Sequence, residues 1–153
     1  TQSNHSTPPN SEMLNSRLSF GDFLISRSNT RELVGLVGIF DEDRDDVSFP
    51  DTMMRLPVNE GRVSKQFLEL VLQSRRGRLH MMRSAAGTSE SMKKINRRTL
   101  GSCLIPTPTF EVQEQLLMKI QRIRQAAENV NLAFCSTTTL KRALLASFLG
   151  GQQ

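Results

Sequence analysis

The chain has neither tryptophan nor tyrosine, so its eight aromatic side chains are all phenylalanines. Cysteine is nearly absent too. Cys103 and Cys135 form no CxxC pair, which argues against a zinc site and against a disulfide framework. Both are expected as small buried apolar groups in a reducing cytoplasm. The only histidines, His5 and His80, fall far apart, one in a polar stretch and one in an amphipathic one. Each is expected to be solvated or packed against a face. No apolar run approaches the length of a bilayer span, and no signal peptide is visible, so no membrane partner is expected and the location is read as cytoplasmic.

Chemical motifs are missing as well. Gly35-x-x-Gly38 lacks the spacings that cradle phosphates, and Pro50-Asp51 is not followed by the acid-x-Lys of a metal-dependent nuclease. There is no Asn-Pro-Pro-aromatic run of the kind that holds a base amino group in adenine methyltransferases. No catalytic residue, metal site or cofactor is expected from this pattern.

One long helix is the strongest feature present. Leu116, Ile120, Ile123, Ala127, Val130 and Phe134 recur at alternating steps of four and three, the spacing of a coiled-coil seam. The stripe continues, slightly rotated, through Leu140, Leu144, Leu145 and Phe148. Pro106 and Pro108 bar a helix upstream, Thr109 suits the N-cap, and Gly150-Gly151 provides a stop. The expected helix, residues 109–149, would run roughly 60 Å, with a local kink at the poor helix formers Ser136 to Thr139. Leu116, Ile120, Ile123, Val130, Phe134, Leu144 and Phe148 are its expected helix–helix interface, to be covered by a second helix.

Ahead of the helix the chain reads as mixed, of α+β class. Residues 1–16, rich in Ser, Asn, Thr and Pro, read as a flexible polar tail. Strands are expected at Phe23-Leu24-Ile25, within Leu33 to Phe40, at Met53 to Val58, and at Cys103-Leu104-Ile105. Gly35 and Gly38 mark a bulge or a close backbone approach. Ser64 caps an expected helix carrying Phe67, Leu68, Val71 and Leu72, broken at Arg75-Arg76-Gly77, with a further helical piece at Leu79 to Arg83.

The formal charge is +5, but its distribution says more. Residues 62–98 hold ten lysines and arginines against Glu69 and Glu90 alone, a local excess of eight. Arg75, Arg76, Arg78, Lys93, Lys94, Arg97 and Arg98 are the candidates for contact with a polyanion, with Thr88 and Ser89 adding hydroxyls from a Gly-Thr-Ser turn. Without Trp or Tyr, stacking platforms are scarce, which favours double-stranded DNA over single strands. The same run also reads as a solvated positive face.

Several of these segments resemble, in order and spacing over about 130 residues, the specificity subunit of type I restriction–modification systems. The matching pieces are Gly21 to Thr30, Glu32 to Gly35, Ala86 to Ser89, the Ile105-Pro106…Pro108…Glu114-Gln115 approach to the helix, and Leu140 to Gly150. The resemblance implies a non-catalytic subunit whose target-recognition domain, here residues 17–108 and partial, reads one half of a split site. The helix at 109–149 would be the spacer and would dock methyltransferase subunits, which carry S-adenosylmethionine; a restriction subunit adds cleavage. The family has two domain-plus-helix units where this chain has one, so a homodimer through the long helix would rebuild the pair. The alternative is a structural coiled-coil assembly adaptor with a non-specific basic face.

Overall fold

The computed structural model describes residues 16–44, 46–87 and 92–149. The chain divides into two compact units, residues 1–113 and 114–153. The first is a small α+β assembly and the second is helix throughout its described part.

Three strands make the main antiparallel sheet: β1 (Phe23–Ser26), β3 (Val37–Ile39) and β4 (Met53–Arg55), with β1 in the middle. Phe23 faces Ile39 and Ile25 faces Val37 on one side, while Leu24 faces Arg55 and Ser26 faces Met53 on the other. All four β1 residues are buried, as a central strand requires. A two-stranded ribbon pairs β2 (Ser28–Asn29) with β5 (Lys93–Lys94). Phe20-Gly21 forms a turn, with Gly21 at φ +82°.

The apolar run from Leu33 to Phe40 is only partly strand. Residues 31–35 are turn, and the two glycines differ: Gly38 pairs with Leu24 in unbroken register, without a bulge. Gly35 has φ +75°, and a Cβ there would lie 2.6 Å from Met81 Cβ, so this is the close approach; Gly38 has nothing within 4 Å.

Helix α1 (Lys65–Gln73) starts at Ser64, whose Oγ accepts the Phe67 N–H at 3.3 Å. It buries Phe67 and Leu72. Helix α2 (Arg75–Ser84) follows after a single residue, and the break falls at Ser74 rather than at Arg75-Arg76-Gly77. Ser74 serves both helices. Its Oγ donates to Val71 O at 2.6 Å and accepts the Gly77 N–H at 3.3 Å. Helix α3 (Arg97–Gly101) is capped by Asn96.

The core gathers Phe23, Ile25, Val34, Val37, Leu72, Met81 and Ile95. Cys103 and Ile105 pack against it from a segment that is not strand, contrary to the strand expected there. Cys135, expected buried, is exposed.

Helix α4 spans Phe110–Leu149 without interruption. The Thr109 carbonyl accepts the first helical bond, from Gln113 N–H at 3.0 Å, which puts Thr109 at the N-cap. The helix is unbroken through 136–139, where Thr137, Thr138 and Thr139 donate their hydroxyls to the carbonyls of Ala133, Phe134 and Cys135 at 2.8 to 3.0 Å. Among the described residues, no helix is long and apolar enough to cross a membrane.

Candidate nucleic-acid interface

The basic segment folds into three short elements instead of one continuous run: α2, β5 and α3. Gly77 makes the first possible. A Cβ there would meet the Val71 and Leu72 carbonyl oxygens at 2.5 Å, so only glycine lets α2 begin this close to the end of α1. Arg75 and Arg76 consequently stand in the first turn of α2, exposed. Cations at this end add to the positive pole of the helix rather than offset it. Arg75, Leu79 and Arg83 repeat at four-residue steps, and Arg83 lies on the same groove as Arg75 and Arg76. That groove, of about 670 Å³, is shallow and is completed by His80 and Ser84; no acid lines it.

His80 ties α2 to α3. Its Nε2 lies 3.1 Å from the Thr99 carbonyl oxygen, so this nitrogen carries the proton. The short helix α3, which carries Arg97 and Arg98, is thereby held against α2. Lys93 and Lys94 sit on β5, where Lys94 also bridges to Ala86, and Lys93 Nζ donates to Gly87 O at 2.8 Å. Asn96 and Ile95 anchor this turn: Asn96 Oδ1 accepts the Thr99 N–H at 3.0 Å, and the buried Ile95 donates its N–H to Arg27 O at 2.9 Å.

Of the nine expected contact residues, Arg75, Arg76, Lys94, Arg97 and Arg98 are exposed and form no ion pair among the described residues. Thr88 and Ser89 lie outside the described residues. Arg78 is different. It turns inward, donating from Nη1 to Val34 O at 3.0 Å and from Nη2 to Glu32 O at 2.7 Å. Burial lowers its pKa from the usual arginine value. Its guanidinium braces the 31–35 turn, so its part is structural. Sequence reasoning left Arg83 out of the contact set, although its four-residue spacing from Leu79 and Arg75 was there to be read.

On α4, the expected interface residues Leu116, Ile123, Val130, Phe134, Leu144 and Phe148 are all exposed, Val130 and Phe134 to 70% and 69%, and Ile120 is half-buried. The residue that reasoning missed is Gln113, fully buried in the first turn of this helix. Its amide donates to Arg62 O and Pro108 O and accepts from Ser64 N–H. No protein-family model and no curated protein matches the chain.

Proposed function

We propose that the chain is a DNA-specificity module of a type I restriction–modification complex. The observation that carries this reading is the set of exposed arginines on α2 and α3, without acidic partners among the described residues, those of α2 lining a groove that no acid lines. Such a surface neutralises phosphates and positions a duplex, while arginine forks can read guanine edges. The exposed apolar stripe of α4 supports the second half of the reading. In it, α4 pairs as a coiled coil with a second such helix, from another copy or another chain, and docks methyltransferase subunits. The module has no catalytic group or cofactor of its own. Methyl transfer and ATP-driven cleavage belong to the modification and restriction subunits, in the cytoplasm.

The adaptor reading draws on the same exposed stripe, and one experiment separates the two. Labelled duplexes of varied sequence are titrated with the full chain across a salt series, beside the K94E/R97E/R98E variant. A specificity module binds some duplexes better than others, and the variant loses affinity with a salt slope flatter by about 0.9 for each phosphate contact removed. Weak, sequence-blind binding that the variant leaves unchanged would instead make the chain an adaptor.

A further inference from the structure

Beside the basic groove, a second and more enclosed cleft of about 300 Å³ opens where α1 gives way to α2. The Ser74 break forms one wall, and the segment 102–106 that follows α3 forms the other. The lining is of two kinds. Val71, Leu104 and Pro106 are apolar, whereas Arg76, His80 and Ser102 offer a cation and hydrogen-bonding groups. No acidic residue lines the cleft, and Arg76 makes no ion pair among the described residues.

This division matches a ligand with a planar body and one anionic end. The volume stands at the lower limit of small-molecule sites, which restricts the occupant to something near the size of a single nucleotide. His80 sharpens the fit. Its Nε2 proton is directed to Thr99 O, with the Ser102 hydroxyl 3.4 Å away, so in the neutral ring Nδ1 is the acceptor nitrogen.

We propose that the cleft between α2 and residues 102–106 is a mononucleotide site, holding a nucleoside monophosphate with its phosphate on Arg76 and its base against Leu104 and Pro106. Arg76 binds the phosphate as a charge-assisted, two-pronged donor. The apolar wall then separates a nucleotide from inorganic phosphate, and the arginine separates it from a nucleoside. The same chemistry is offered by a free mononucleotide and by a nucleotide swung out of a bound duplex. The site stands on its own observations and does not require the specificity-module reading.

The test is calorimetric titration of the full chain with adenosine 5′-monophosphate, with adenosine, and with inorganic phosphate. Saturable binding of the monophosphate is expected, with both fragments weaker by about tenfold or more. Arg76→Ala should cut monophosphate affinity about tenfold and leave adenosine unchanged, the loss expected for one charged hydrogen-bonding partner. Arg97→Ala, outside the cleft, should change neither. A duplex carrying 2-aminopurine separates the sources: fluorescence rising on binding and quenched by Leu104→Ala marks a swung-out nucleotide, and unchanged fluorescence alongside monophosphate binding marks a free one. The proposal is overturned by absence of saturable monophosphate binding, or by Arg76→Ala and Arg97→Ala weakening it equally. Duplex affinity, measured in parallel with R97E, fails or survives separately, so loss of the specificity reading would not be mistaken for loss of the cleft.

Discussion

Gln113 Oε1 accepts the backbone N–H of Ser64 at 3.0 Å, joining the first turn of the long helix to the residue that caps α1, 49 positions earlier. The same side chain donates to Pro108 O at 2.9 Å and to Arg62 O at 3.2 Å, so both ends of the amide are used. A fully buried primary amide is tolerated only when satisfied in this way.

Replacing Gln113 by Leu should therefore be costly. It preserves bulk but strips partners from one N–H and two carbonyls, for a loss of about 3 kcal/mol in urea unfolding. Gln125→Leu, on an exposed face of the same helix where the amide donates to Asn129, should change the midpoint little.

The two glycines near β3 should behave oppositely. Gly35→Ala forces a methyl group onto Met81 at a left-handed backbone position and should cost about 3 kcal/mol. Gly38→Ala meets open space in a strand and should stabilise by about 0.5 kcal/mol through reduced freedom of the unfolded chain. Thermal melts of the two variants side by side check both signs.

Arg78 and Arg76 differ by two positions and should separate by phenotype. Arg78→Ala abandons the Val34 and Glu32 carbonyls and should lower stability by about 2 kcal/mol. Arg76→Ala should leave unfolding nearly unchanged while weakening duplex binding. Denaturation curves paired with duplex titrations distinguish a brace from a contact.

The two thiols should react in a fixed order. Cys135 is exposed, whereas Cys103 is half-buried and burial pushes its pKa above the ordinary thiol range, an effect the nearby Arg76 charge partly offsets. Because the thiolate is the reactive form, Cys103 labels slowly at neutral pH and faster as pH rises toward its raised pKa. Arg76→Ala removes the offsetting charge and should slow Cys103 further. Mass-resolved alkylation across a pH series follows both sites.

Elements defined by their own residues were readable in advance. The apolar spacing of α4, the Ser64 cap and the buried run Phe23 to Ile25 each state their structure locally. Features defined by a partner were not. Cys103-Leu104-Ile105 has the composition of a strand, but a strand is a pairing, and this segment meets side chains instead of an edge. Gln113 looks like a surface residue until Ser64 arrives against it. Arg78 belongs by composition to the basic run and is drawn out of it only by the two carbonyls of the 31–35 turn. The helix break followed the same rule: Gly77 suggested the interruption, yet the glycine is needed because the preceding carbonyls come so near, and Ser74 makes the stop.

The shared hydroxyl of Ser74 has a bearing on how this region comes apart. One oxygen closes the last turn of α1 and the first turn of α2, so fraying either end deprives the other of its closure. The two short helices accordingly melt together, and amide exchange should show one common opening for residues 71–78 in place of two staggered ones.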